Sequence, residues 1–385
     1  MTRRLFPLLL FALFLSVGCN QVTSYKPPAV GKTGEIMVVT DTATWNGPVG
    51  DALRAELGRE MRTFPQPTPA FSLRLEQLSD FSLQGVRRQN GVVFAAPLDR
   101  TTATAQFIRA RLDSAGVAAL EGGGQGIIER QDLWMQDQVV VYATAANDST
   151  LAQQIRDAGP RLRDAFSALA RKRTTDEMFD KGRQTDMEAA LYAEHGFAVA
   201  MQHDYFEAYD TTFATSEGAR AGFTRFRRLA GQDSWRDFFV YYEEDPRLNR
   251  LNPDSIRATR NRLTERFIRG TRDGSYITIE DRDAVRRPVE VDTVNLGGRF
   301  AIETRGTWRL TGDAMGGPFV SYGFYDEDQG RFYLIDGMIY GPRYTIPEKR
   351  EFLRQMESIA YTFRTSPEGT AEIVADSEPP PPPSE

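Results

Sequence analysis

The chain has one cysteine, two histidines and very little lysine, and each shortage excludes something. A single thiol, Cys19, allows no intramolecular disulfide, so the folded part is held by its core alone. His195 and His203 stand in no H-E-x-x-H or comparable spacing, so no metal site is expected from the sequence. Only five of the 47 basic residues are lysine: Lys26, Lys32, Lys172, Lys181 and Lys349. A GC-rich genome accounts for that most simply; a salt-adapted acidic surface is the sharper reading. The net charge of -6 argues against a nucleic-acid partner. Beyond residues 5–17 no hydrophobic run approaches the roughly 20 residues of a membrane span.

The N-terminus carries a basic pair, Arg3 and Arg4, then an apolar run, then Leu15-Ser16-Val17-Gly18 directly before Cys19. Small residues against a thiol are what a processing peptidase accommodates. Residues 1–18 therefore read as a lipoprotein signal peptide, with Cys19 acylated (palmitate among its chains) and the mature protein starting there. The common lipobox has Leu three residues before the cysteine; here Ser16 holds that place and Leu15 lies one further out. Thr2-Arg3-Arg4-Leu5-Phe6 resembles a twin-arginine start. The short basic region, Pro7 and the Leu/Phe-rich core favour threading through the Sec channel instead. The first expected partner is thus the membrane, reached through a lipid anchor.

Residues 19–34, with Lys26-Pro27-Pro28, read as a tether. The remainder exceeds what one core usually serves, so two subdomains are expected, 35–173 and 196–364, joined by a linking helix at 174–195. Strands in the first are expected at 36–40, 71–78, 91–96, 127–133 and 138–143. One helix has Asn46 as cap, Pro48 in its first turn and Gly58 as stop; a second runs from Asp99 to Gly116. A third, at 149–173, should be kinked or split by Gly159-Pro160. That order implies a mixed sheet with helices on one face.

The second half is strand-dominated: 197–201, 223–229, 235–242, 275–280, 289–294, 299–310, 319–325 and 332–340, with a helix at 252–270. It closes on a helix announced by a capping box, Thr345 with Glu348. The stripe Leu353, Met356, Ile359, Ala360 and Phe363 should pack that helix on an antiparallel sheet. The fold class is therefore α+β: two α/β-sandwich-like subdomains, the second dominated by an antiparallel sheet with a C-terminal helix packed on it. Residues 365–385, with prolines at 379–383, read as a disordered tail.

Most chemical signatures are excluded, and no catalytic residue and no cofactor are assigned. His195, between Glu194 and Gly196 at an expected helix end, reads as a structural histidine beside the helix dipole. His203 beside Asp204 reads as a surface pair. Gly122-Gly123-Gly124-Gln125-Gly126 has no following Lys-Ser/Thr and fails the dinucleotide pattern, which leaves a flexible loop. Ser321 lacks the small residue two before it that a nucleophile elbow needs. Asp326, Asp328 and Gly330 begin like a calcium loop, but its twelfth position is Gly337 rather than a bidentate Glu.

Two constellations keep a functional reading beside a structural one. Glu207, Asp210, Glu243, Glu244 and Asp245 are interleaved with Tyr205, Phe206, Tyr209, Phe239, Tyr241 and Tyr242. Carboxylates beside aromatic platforms suit a glycan cleft or a glycosidase, and equally a β-rich core with a solvated face. Arg305-Gly306-Thr307-Trp308 followed by Met315-Gly316-Gly317-Pro318-Phe319 implies a tight connection with close backbone approach. It would serve as a ligand loop lined by Trp308 and Met315, or as a turn.

These residues, with Gly34-Glu35-Ile36-Met37-Val38-Val39, Trp45-Asn46-Gly47-Pro48-Val49-Gly50 and Asp273-Gly274-Ser275-Tyr276, resemble a Bacteroidota lipoprotein family labelled domain of unknown function 4837. The resemblance extends over nearly everything between Lys26 and Phe363. It implies a lipid-anchored envelope protein and assigns no catalytic role. No acidic residue follows the cysteine in Asn20-Gln21-Val22-Thr23-Ser24, which favours the periplasmic face of the outer membrane. The expected function is a non-enzymatic binding or assembly component with an envelope protein or glycan as partner; the alternative is a carbohydrate-active enzyme using carboxylates of the second half.

Replacing Cys19 by Ser should move the protein out of the membrane fraction or leave it unprocessed. Immunoblots of fractionated cells decide this, and unchanged membrane attachment refutes the anchor.

Overall fold

The computed structural model describes residues 25–64, 66, 68–231, 233–244, 250–282 and 288–366; Cys19, the signal peptide, Asp245 and nearly all of the tail lie outside them. β1 (Glu35–Val39) leads through α1 (Thr42–Trp45) and α2 (Pro48–Glu56) to a ribbon of β2 (Glu60–Met61) and β3 (Thr68–Pro69), then to β4 (Ser72–Glu76). α3 (Asp80–Arg87), β5 (Gly91–Ala95), α4 (Ala103–Arg109), α5 (Ser114–Glu121), β6 (Ile127–Gln131) and β7 (Val139–Ala143) follow. The sheet runs β4-β1-β5-β7-β6 and is parallel except for β6.

β5 and β7 read GVVFA and VVVYA and are buried along their whole length, as a parallel sheet covered on both faces requires. Val38, Val93 and Val141 pack on Leu53 of α2 and on Leu151 and Phe166 of α6 (Asp148–Phe179). Val39, Phe94 and Tyr142 pack on Val86 of α3 and on Ala105 and Ile108 of α4. Helices therefore cover both faces, not one.

Local signals explain the other departures. α2 is capped by Gly47, because Asn46 already ends α1, which Asp41 caps. The helix expected from Asp99 to Gly116 is two, since Thr102 and Asp113 each offer a side-chain oxygen to a downstream amide, Ala105 and Gly116. Pro160 does not split α6, which runs unbroken for 32 residues. Pro160 and Arg156, whose carbonyl loses its amide partner, are both on the exposed side, where water serves instead. The end of α6 absorbs 174–179, so the linking helix is α7 (Thr185–His195) alone.

The second sheet is antiparallel. Its strands are β8 (Phe206–Ala214), β9 (Arg220–Leu229), β10 (Trp235–Glu244), β11 (Ile277–Ile279), β12 (Glu290–Leu296), β13 (Arg299–Leu310), β14 (Gly316–Asp326) and β15 (Arg331–Tyr340). Their order is β11-β13-β14-β15-β10-β9-β8, with β12 paired to β13 beside β11. β8 has no counterpart among the expected strands because its nine residues are mostly exposed and show no run or alternation of buried apolar positions. Residues 197–201 are no strand: Ala198 pairs only with Arg364, and the run is buried as a core plug.

α9 (Ile346–Tyr361) lies on one face with the expected capping box, its Leu353, Met356 and Ile359 against Tyr322, Tyr333 and Ile335. α8 (Pro253–Phe267) covers the other, with Ile256 and Leu263 among Phe239, Phe319 and Leu334. Glycine permits both contacts. A Cβ at Gly337 would stand 2.4 Å from Met356 Cβ, and one at Gly323 would stand 2.5 Å from Ile256 Cδ1.

Under α8 lies a fully buried ion pair. Arg260 Nε donates to Asp336 Oδ2 at 2.6 Å and Nη2 to Oδ1 at 3.3 Å, while the guanidinium carbon sits 3.8 Å over Phe319. Ser321 donates to the same carboxylate, so its hydroxyl is spent in the core and it is no nucleophile. Removing one partner of such a pair strands the other charge. Asp336→Ala should cost about 3–5 kcal/mol in urea unfolding. Ser321→Ala, which removes one hydrogen bond to that carboxylate, should cost about 1.5–3 kcal/mol.

Candidate functional site

An edge strand of each sheet, β4 and β12, lines a common hollow beside the β2–β3 ribbon. β4 pairs only with β1, and β12 only with β13, so each leaves one side unpaired among the described residues. That hollow, of about 850 Å³, adjoins a second of about 530 Å³, and the two share Arg59, Glu60, Phe71, Glu290 and Val291. Leu73 of β4 and Val291 of β12, the latter 45% exposed, face the larger one. The smaller continues between α6 and α9.

Polar ties hold the groove open at a set width. Arg350 of α9 donates to Pro69 O at 2.8 Å, and Arg354 donates to Ala70 O. Glu290 accepts from the Arg62 amide at 3.2 Å and from the Thr63 hydroxyl at 3.3 Å. Thr307 donates to Thr63 O at 3.0 Å. The loop between α2 and β4 is thereby pinned to β12, β13 and α9.

The floor is one guanidinium shared by two carboxylates. Strand alternation puts Glu303 and Arg305 of β13 on the α9 face, opposite Tyr322 and Val320 of β14. Arg305 Nε donates to Glu303 Oε1 at 2.5 Å, Nη2 to Glu303 Oε2 at 2.8 Å, and Nη1 to Glu357 Oε1 at 2.5 Å. One turn along α9, Tyr361 carries Arg171 of α6 over its ring at 3.9 Å. Tyr322 meets the Tyr361 ring edge-on at 5.9 Å, and its hydroxyl is buried without a hydrogen-bond partner.

The electrostatics follow from burial against charge. Burial alone would depress the Arg305 guanidinium, but Glu303 and Glu357 outweigh it and hold the group firmly protonated. Burial likewise pushes Glu357 up, and the Arg305 charge and hydrogen bond more than reverse it. For Tyr322, burial and both carboxylates act together to push the phenol far up. The floor is therefore one firmly protonated guanidinium bridging two carboxylates, with Glu357 held ionised by Arg305. At the rim, Arg59 has no ion-pair partner among the described residues, and Glu60, Asp164 and Asp292 add negative charge, so the lining carries both signs.

Of the residues expected to form a ligand loop, only Arg305 lines this groove. Trp308 faces the α8 side, fully buried, its indole 5.1 Å from Trp235 and its Nε1 donating to Ile339 O at 3.1 Å. Met315 and Phe319 pack on that same side. Gly316, Gly317 and Pro318 lie within β14 and not in a turn; the turn is at Gly312, where φ is +75°. Gly317 is needed because a Cβ there would stand 2.0 Å from Ile339 O.

The carboxylate-aromatic set is divided too. Register places Glu243 and Tyr241 on the α8 face and Glu244 and Tyr242 on the α9 face. Glu243 accepts from Tyr241 at 2.9 Å and pairs with Arg250 at 3.3 Å; Glu244 pairs with Arg331 at 2.7 Å. Asp210 is held by His195 and Thr224. His195 is buried, and His203 is exposed. The loop at Gly122–Gly126 is tied to α6, Gln154 accepting from Gly126 N and donating to Gly124 O, each at 2.9 Å. Asp326 accepts from Arg299 at 2.9 Å and the Gln329 amide at 3.1 Å, a closed hairpin turn. Glu357, Tyr361 and Arg171 stand in no sequence motif; the i, i+4 spacing of Glu357 and Tyr361 along one flank of the apolar stripe of α9 is the available signal.

Residues 29–179 match a family model described as Domain of unknown function (DUF8532), and residues 184–362 match one described as Domain of unknown function (DUF4837). The resemblance read over the whole folded chain is thus carried by its second half, the first half having a family of its own. No curated protein and no solved structure matches the chain. Among the described residues no helix is long and apolar enough to cross a membrane.

A group whose pKa is lowered in the folded state stabilises above its unfolded value and stops doing so as the pH falls through the folded one. For Glu357 the ordinary value is 4.5. The loss of urea midpoint caused by Glu357→Gln should therefore be greatest at neutral pH. It should shrink as the pH drops below 4.5, which a pH series of urea titrations reads directly.

Proposed function

We propose a role for a chain whose residues 184–362 belong to the DUF4837 family: a lipid-anchored envelope protein that binds an extended polypeptide segment of a partner in the groove between β4 and β12. The observation that carries this reading is the groove itself, bounded by two sheet edges whose outer sides have no strand partner among the described residues. An extended chain laid there finds main-chain donors and acceptors on both sides and side-chain contacts at alternate positions, the mode by which sheet edges capture peptides.

The lining suits a polypeptide better than a single small ion. It pairs apolar patches, Phe71, Leu73 and Val291, with charges of both signs, and its floor is an anchored ion network. The tether at Cys19, on the periplasmic face of the outer membrane, would keep the groove near partners that share that surface. The glycosidase alternative gains no support from the carboxylates read for it, since Glu243 and Glu244 face opposite sides and each is spent on arginine.

A photo-crosslinking residue replacing the exposed Arg59 should give discrete partner adducts in intact cells, whereas the same residue at Phe81, 95% exposed on α3, should not. Adding Val291→Arg, which fills the hollow, should cut the Arg59 adducts several-fold at unchanged protein level. Equal adduct patterns at both positions, or adducts indifferent to Val291→Arg, overturn the assignment.

A further inference from the structure

At the far edge of the second sheet from the groove, α7 and β8 converge on one imidazole. His195 ends α7, and Gly196 follows in the left-handed region with φ +75°. His195 Nε2 lies 3.1 Å from Asp210 Oδ2 and 4.0 Å from Glu194 Oε2, and one ligand atom from each of the three residues falls within 4.8 Å of the others. The imidazole is buried, Asp210 half-buried and Glu194 exposed, so the cluster has a closed base and an open mouth.

The carboxylates are placed by a β-bulge. Pairing shifts from Glu207↔Phe226 to Tyr209↔Arg225, which leaves Ala208 without an opposite residue. In an unbroken strand, positions 207 and 210 point to opposite faces; the bulge returns both to the face on which His195 sits. Asp210 and Glu207 thus share one face of the sheet edge with His195, and exposed Glu194 closes on the ring from α7.

Support for the ring and for Asp210 is already in place. Thr224 donates to Asp210 Oδ1 at 2.7 Å, leaving Oδ2 toward the imidazole. His195 Nδ1 lies 3.5 Å from the Tyr242 hydroxyl, which both donates and accepts and so serves either tautomer. The ring stacks on Phe197 at 5.7 Å, and Arg331 holds the His195 carbonyl at 2.5 Å. With ligand bonds of about 2.0–2.1 Å, neighbouring donors of a tetrahedral site stand about 3.4 Å apart. The His195–Asp210 pair is close to that separation, and exposed Glu194 needs only a rotamer adjustment.

We propose that Glu194, His195 and Asp210 bind a divalent transition-metal ion of the Zn²⁺ type, with water completing the shell. One imidazole nitrogen, carboxylate oxygens and no thiolate are the donor set such an ion takes, with outer hydrogen bonds orienting the ligands. The ion would take the Nε2 lone pair; the ring proton moves to Nδ1 and is donated to the Tyr242 oxygen, so the neutral ring keeps its proton.

Calorimetric titration of the chelator-stripped, detergent-solubilised full chain with Zn²⁺ should show one site per chain, and Co²⁺ should give visible d–d absorption at the same stoichiometry. Glu194→Gln alters an exposed side chain, so it should leave the thermal melt unchanged and weaken Zn²⁺ binding about ten-fold. His195→Asn should abolish binding, and His203→Asn should leave it unaltered. No binding by the parent chain, binding that survives His195→Asn, or equal affinity in Glu194→Gln overturns the site.

Discussion

Strands buried on both faces oblige a sheet to be covered twice, and much of the second half answers that demand. β10, β14 and β15 present apolar or core-paired residues to each side. α9 meets one face and α8 the other, and each seats where a glycine removes the only atom in the way. An ion pair then fixes each cover to its strand, Arg260 to Asp336 on one side and Arg305 to Glu357 on the other. Such pairs add less net stability than position, because desolvation offsets most of their attraction. The groove inherits its geometry from this: its floor is the ion pair that sets α9.

Arginine does work in this chain that lysine could not. Arg305 spans two carboxylates with one planar fork, and Arg227 grips Asp237 through two nitrogens at 2.7 and 2.8 Å. Arg260 stands over the ring of Phe319, and Arg171 over that of Tyr361. A point charge on a flexible stem reproduces neither the fork nor the stacking. The scarcity of lysine, which composition alone explains by base content, is at these positions a structural requirement.

Signals confined to a few neighbouring residues were legible in the sequence. The capping box at Thr345 and Glu348, the Asn252-Pro253 start and the valine-rich strands all stand where local chemistry puts them. What was hidden depended on distant partners. The run at 197–201 is as apolar as a strand, yet it is buried by packing, with one bridge in place of a ladder. β8 is the reverse, a mostly exposed segment recruited by pairing with β9. At the candidate sites, spacing named Arg305 and His195 but not their roles. The fork on Arg305 draws Glu357 from 52 residues away, and the face on which Asp210 lies depends on a bulge that no residue type announces.

Helix α6 carries a mechanical consequence. At 1.5 Å per residue its 32 residues form a strut of about 48 Å. Leu151, Ile155, Leu162 and Phe166, spread over more than its first half, belong to the core of the first sheet, whereas Met178 near its end belongs to the core of the second. The same rod is thus a wall of two cores. Disturbance that starts in either core reaches a helix on which the other leans, so the two halves are mechanically coupled through one rod.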